Sequence, residues 1–326
     1  MKIVLNLIVL LAGFVLLIKG ADIFVDGSAA LAKKLKISGT IIGLTIVAFG
    51  TSAPELAVST SAAIQGSNEI ALSNVVGSNI FNLLCVLGIC SIISAVPVDK
   101  GIIKRDFPFS VIVTFFVFVL SFFDVLFCGK GLSNNMKENV GEYSRFSGVF
   151  AIVVFVLYIV FLILAAKKNQ EEKSEEEHKS IWKCIFEILI GLIMIVIGGK
   201  TVVNSAKYIA QAAGMTETLI GLTIVAVGTS LPELVTSVVA AKKGETGLAV
   251  GNAVGSNIFN ILLILGVSAV ICPIRVNVAS FYDMIILLII SIITYIFAIT
   301  KRSINKKEGV IMVLLYFADV VFAVIR

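Results

Sequence analysis

The sequence is poor in charge. Only 14% of its 326 residues are Asp, Glu, Lys or Arg, while 58% are hydrophobic. A soluble domain carries about 25% charged residues, so a water-dissolved globular protein is excluded, and a mean hydropathy of +1.06 places the chain in a bilayer. Histidine is nearly absent. The only one, His178, stands in a charged stretch outside the apolar runs. The five cysteines, Cys85, Cys90, Cys128, Cys184 and Cys272, form no C-x-x-C pair. Soft and borderline metals therefore lack their usual ligands, and Ser/His or Cys/His catalysis lacks its parts. An enzyme is not expected. Most of the cysteines fall in or beside apolar runs, where Cys packs as a small hydrophobe. Cys128 and Cys272 both fall near one face, which leaves a disulfide between them open. A cleavable leader is not expected. Lys2 and the apolar run from Ile3 to Ile18 precede no small-x-small site, so this segment is read as an uncleaved span.

What the chain has is long apolar runs. A helix needs about 20 apolar residues to cross a bilayer. Ten such spans are expected, at roughly 3–27, 39–64, 70–95, 106–127, 147–166, 182–205, 217–241, 247–271, 279–300 and 308–325. The runs are continuous, as in Val111–Leu120 and Ala151–Leu164, and do not alternate as barrel strands would. The predicted fold is an all-α polytopic membrane protein. Of the 26 Lys and Arg residues, 17 fall in the odd-numbered loops and 8 in the even-numbered loops and termini, with Lys19 inside the first span. Positive residues collect on the cytoplasmic side, so both termini are expected outside, in a cell membrane. This topology signal accounts for the net charge of +5 without a nucleic-acid partner.

One stretch is fully polar, KKNQEEKSEEEHKS at residues 167–180. It is expected to be a cytoplasmic linker between a first half at 1–166 and a second at 181–326. Five spans per half give the halves opposite orientations, an inverted repeat of the kind that places a transporter's site at the midplane. The outer segment Asp124–Arg145 carries no identifiable chemistry.

The halves also repeat in sequence. Residues 43–88 and 221–266 align without a gap at an offset of 178, with 28 of 46 positions identical. The first copy reads GLTIVAFGTSAPEL and then NVVGSNIFN; the second reads GLTIVAVGTSLPEL and then NAVGSNIFN. Each places a carboxylate, Glu55 or Glu233, in an apolar segment, where a charge is costly and marks function. Pro54 lacks an N–H and clashes with the carbonyl of Gly50, so the helix should break and leave carbonyls around Ala48–Gly50 free for a cation. Thr51, Ser52, Ser78 and Asn82 add oxygens, and Thr229, Ser230, Ser256 and Asn260, with Ala226, repeat the set. Small Gly77 and Gly255 should let backbones approach closely. Asn74 and Asn252 are expected to satisfy the broken-helix backbone. Asp22 and Asp26, near the membrane edge, are expected to pair with Lys19. Polar glue between helices would explain one copy, but two copies with both carboxylates retained argue for a site. All-oxygen ligation with two negative charges suits a hard cation, Ca²⁺ or Na⁺, better than Mg²⁺.

These motifs resemble the two alpha-repeats of the calcium/cation antiporter superfamily, the sodium/calcium exchangers, over nearly the whole chain. The proton/calcium branch typically carries a G-N-A-x-E motif, which is absent here. The resemblance implies Na⁺/Ca²⁺ antiport by alternating access, with no cofactor and no obligatory protein partner. It implies Ca²⁺ held by Glu55, Glu233 and the carbonyls of Thr51 and Thr229. Na⁺ would use Ala48, Ser52, Ser78, Ala226, Ser230 and Ser256 with the same glutamates, and Asn82 and Asn260 would lie beside the centre. Potassium-dependent relatives carry Asp where this chain has Asn260, which argues against a K⁺ requirement. A proton-coupled cation exchanger and a passive channel are the alternative readings.

Overall fold

The computed structural model describes residues 2–129, 131–132, 134–168, 179–215, 224 and 226–325. The expected linker therefore lies mostly outside the described residues, as does the start of the seventh span. The helices are α1 (Lys2–Leu35), α2 (Gly39–Thr51), α3 (Ala53–Ile64), α4 (Glu69–Ile93), α5 (Phe107–Ser121), α6 (Phe123–Phe127) and α7 (Arg145–Lys168) in the first half. The second half holds α8 (Ile181–Ala212), α9 (Ala226–Thr229), α10 (Leu231–Lys242), α11 (Thr246–Ile271), α12 (Val278–Thr300) and α13 (Lys306–Ile325). Seven of these are long and apolar enough to cross a membrane among the described residues, and the bent pair α2–α3 makes an eighth. The expected fourth span is α5 with a π-helical turn, Ile102–Asp106, leading into it. The expected seventh is described as α9 and α10.

The break in the second span comes where proline requires it. Pro54 stands in the first turn of α3, where a missing N–H is harmless, and α2 and α3 meet at 48°. Pro232 has the same place in α10. One expectation is corrected at this break. The carbonyl of Ala48 is not left free, because the Ser52 N–H donates to it at 3.0 Å. Thr51 is still α-helical, which keeps the Ser52 N–H over the preceding turn, and Ser52 itself leaves the helix at φ −83°, ψ 7°. The Thr51 hydroxyl also lies 3.5 Å from the Ala48 carbonyl.

α4 and α11 form the centre. Of their most apolar windows 78% is buried, against 11–33% for the other long spans. The outer helices turn large apolar side chains such as Leu11, Leu157 and Phe186 outward, as lipid-facing surfaces do. The backbones approach closely where glycine allows it. A Cβ at Gly255 would lie 2.7 Å from Leu44 Cα. The equivalent neighbour of Gly77 would be Leu222, outside the described residues.

α1 and α8 pack antiparallel. A Cβ at Gly20 would come 2.8 Å from Ile195 N, at Gly191 2.7 Å from Phe24 N, and at Gly198 2.6 Å from Leu17 N. Gly13 and Gly20 recur 178 residues later as Gly191 and Gly198, so the repeat reaches beyond the motif segment. Two short strand pairs tie the halves together. β1 (Val96–Pro97), after α4, pairs antiparallel with β4 (Ser303–Ile304), before α13. β3 (Ile274–Asn277), after α11, pairs antiparallel with β2 (Asn139–Tyr143), before α7. Each pair therefore takes one strand from each half. The polar segment at 124–145 contributes β2, and no disulfide joins any of the five cysteines.

Candidate cation-binding site

The two glutamates meet in the middle of the bundle, each in the first turn of a helix that restarts after a break. Glu55 and Glu233 are 0% and 1% exposed. Their contacts are exchanged between the halves. Ser52 Oγ donates to Glu233 Oε1 at 2.9 Å, and Ser230 Oγ donates to Glu55 Oε1 at 3.0 Å. Ser230 Oγ also lies 3.1 Å from Ser78 Oγ. Its one proton is spent on Glu55, so Ser78 is the donor there. When residue i of one copy touches j of the other and the reverse also holds, the two copies are related by a two-fold axis. The repeats are therefore arranged about a pseudo-dyad through this site.

Several oxygens in the cluster are buried and have no partner. They are Glu55 Oε2, Glu233 Oε2, Asn82 Oδ1, Asn260 Oδ1, Ser256 Oγ and Thr229 Oγ1. Leaving a buried polar group unsatisfied costs about 1–3 kcal/mol, and more when it is charged. All six can accept, from a donor or from a cation. Thr51 differs from Thr229. Its hydroxyl lies 3.1 Å from the carbonyl of Val47 and 3.0 Å from Asn252 Oδ1, so its side chain is engaged by protein.

Asn74 and Asn252 hold the glutamate-bearing helices. Asn74 Nδ2 donates to Ser59 Oγ at 2.9 Å and to the backbone carbonyl of Glu55 at 3.3 Å. Asn252 Nδ2 does the same to Ser237 Oγ at 2.9 Å and the carbonyl of Glu233 at 3.4 Å. Ser59 and Ser237 were not expected at the site.

Nor were Asn79 and Asn257. Asn79 Nδ2 donates to the backbone carbonyl of Asn257, and Asn257 Nδ2 to that of Asn79, each at 3.2 Å. Asn82 Nδ2 donates to Asn257 Oδ1 at 3.2 Å and Asn260 Nδ2 to Asn79 Oδ1 at 3.0 Å. The sequence signal was the asparagine pair three apart in S-N-I-F-N, present in both copies. The helices turn π-helical at Asn82–Val86 and Asn260–Ile264, a distortion frequent at functional sites.

The expected pairing of Asp22 and Asp26 with Lys19 does not occur. Lys243, just past the end of α10, reaches Asp22 Oδ1 at 2.7 Å and Asp26 Oδ1 at 2.6 Å. The two acids are one turn apart on α1, close enough for a single ammonium to serve both.

Broken helices repeated about a pseudo-dyad, closing on buried carboxylates, hydroxyls and amides, define a membrane carrier for a hard cation. The sequence comparisons are specific. The family model described as sodium/calcium exchanger protein matches residues 5–164 and 184–325. Sodium/calcium exchanger MaX1 of Methanosarcina acetivorans is 34% identical, with 97% of each chain covered. A putative antiporter, CaxA, of Alkalimonas amylolytica is 36% identical over 95% of each. A solved structure of the sodium-calcium exchanger NCX_Mj, soaked with Na⁺ and Sr²⁺, superposes with a TM-score of 0.81 at 32% identity, covering 98% of this chain and 99% of that one. The chain belongs to the sodium/calcium exchanger family. It is an integral multi-pass membrane transporter and not an enzyme.

Proposed function

We propose that this protein exchanges Na⁺ for Ca²⁺ across the cell membrane by alternating access. The observation that carries the reading is the pair of buried glutamates, each with one oxygen held by the opposite repeat and the other unpartnered. Two carboxylates neutralise one Ca²⁺, supported by carbonyls at Thr51 and Thr229. Na⁺ uses overlapping oxygens from Ala48, Ser52, Ser78, Ala226, Ser230 and Ser256 together with the same glutamates. Overlap makes the two ions mutually exclusive, and exclusion is what couples them. The pseudo-dyad supplies two related arrangements of one chain, open to opposite sides.

Three Na⁺ against one Ca²⁺ moves one net charge per cycle, at about 2.3 kcal/mol per charge per 100 mV. Exchange is therefore electrogenic. Neutral amides at Asn82 and Asn260 supply no third carboxylate for K⁺, so K⁺ is not required. The domains are the halves 1–166 and 181–326, joined by a cytoplasmic linker at 167–180, with both termini outside. The test is labelled Ca²⁺ uptake into proteoliposomes loaded with Na⁺, with the potential clamped by K⁺ and valinomycin and the assay repeated without K⁺. The expected result is uptake that needs outward Na⁺ and responds to potential. Uptake driven by a pH gradient alone would make the protein a proton exchanger. Leak without any gradient coupling would make it a channel.

A further inference from the structure

We infer that Asn79 and Asn257 are positioning residues that fix which way the amides of Asn82 and Asn260 face, so that each presents its carbonyl oxygen, and not its NH₂, to the cation. This inference rests on the cage being the ion site proposed above. Neither residue is among the ligands inferred there.

The orientation follows from a relay that starts on the backbone. The main-chain carbonyl of Asn257 can only accept. Asn79 must therefore turn Nδ2 toward it, at 3.2 Å. That leaves Asn79 Oδ1 on the opposite side, and it too can only accept. Asn260 must meet it with Nδ2, at 3.0 Å. The last atom in the series, Asn260 Oδ1, is then the free end, buried and without a partner. The mirror relay runs from the carbonyl of Asn79 through Asn257 to Asn82, and it ends on Asn82 Oδ1, equally buried and unpartnered. All four asparagines are at most 2% exposed, so bulk water does not compete for these links. An amide rotated the wrong way would set oxygen against oxygen within the relay and point two N–H groups at a site that must hold a positive ion.

Each link crosses from one repeat to the other. Neither half can orient its own amide, so a correctly faced cage exists only when the repeats are docked. The relays end on Asn260 and Asn82, the first residues of the π-helical turns, where α4 and α11 lie against each other. Simple helix glue would not require this order of donors and acceptors.

The test uses the symmetry of a carboxylate. Asp has two equivalent oxygens and needs nothing to orient it. Loss of an outer-shell partner typically costs about 10–100-fold in metal affinity. Asn79→Ala should therefore raise the Ca²⁺ KM about 10-fold or more, and in an Asn260→Asp background the same replacement should raise it less than about 2-fold. Asn257→Ala with Asn82→Asp is the mirror pair, and it serves if Asn79→Ala does not insert. KM is measured on the full-length protein in proteoliposomes, both as Na⁺-driven uptake and as Ca²⁺/Ca²⁺ self-exchange. An unchanged KM in the Ala variants would overturn the inference. So would an equal rise in both backgrounds, since that is what a merely structural role gives. Wild type that self-exchanges Ca²⁺ but ignores Na⁺ would refute the coupling proposed above and leave this cycle readable. Wild type that handles neither ion would refute both.

Discussion

Each glutamate of the cage divides its work between two oxygens. One is held by a serine of the opposite repeat and the other is free. In the proposed cation site, replacing Glu55 or Glu233 by Ala removes half the carboxylate charge that would balance a divalent ion. Breaking a buried ion pair costs about 3–5 kcal/mol, roughly 100-fold or more. Either variant should insert normally yet lose Ca²⁺ uptake by about that factor or more, measured on purified protein in vesicles. Substantial exchange by either would sink the assignment. The two buried glutamates were legible in the sequence because an intramembrane acid that recurs 178 residues later has few bland explanations. Asn79 and Asn257 stand in the same motif, but the sequence does not single them out. They face a partner helix, and a sequence period marks one helix face without saying what lies opposite it. The Ala48 carbonyl is partnered for a reason the sequence does not carry either. Proline predicts the break, but the dihedral angles at Ser52 decide which carbonyl is freed.

At the scale of helices, proline breaks and glycine contacts were readable, and π-helical turns were not, because no residue pattern marks them. The ion cluster between α1 and the end of α10 was missed because its partners are more than 200 residues apart. It also breaks the symmetry of the repeats. Its image at the other end would place Lys200 and Asn204 on α8 near Gln65, which cannot form an ion pair in the same sense. All three charges of the real cluster keep contact with solvent, so each pair is worth about 0.2–1 kcal/mol and is screened by salt. Lys243→Met should lower the melting temperature by about 2–4 °C at low ionic strength, and by much less in about 1 M salt. Gln65→Met should show no such salt-dependent difference. Equal behaviour of the two variants in a thermal melt across salt concentrations would contradict the pairing.

At the scale of the whole molecule, composition gave the membrane and the repeat gave the dyad. The strand pairs were invisible, since strands as short as Val96–Pro97 and Ser303–Ile304 carry no alternation to detect. They have a consequence for the continuity of the chain. One pair sits at each end of the bundle, and each takes a strand from either half. With α1 packed on α8 and the asparagines crossing the dyad, the halves are laced together at several depths without help from residues 167–180. The peptide bond between the halves should therefore be dispensable once folding is complete. A protease site placed within 169–178 should be cut in inside-out vesicles and spared in right-side-out ones. The nicked protein should still migrate as one particle in mild detergent and keep most of its Na⁺-driven Ca²⁺ uptake. Cutting from the outside would reverse the proposed orientation, and separation of the fragments would mean that the lacing is weaker than the linker. The transporter then behaves as a dimer of unlike subunits that happens to be made as a single chain.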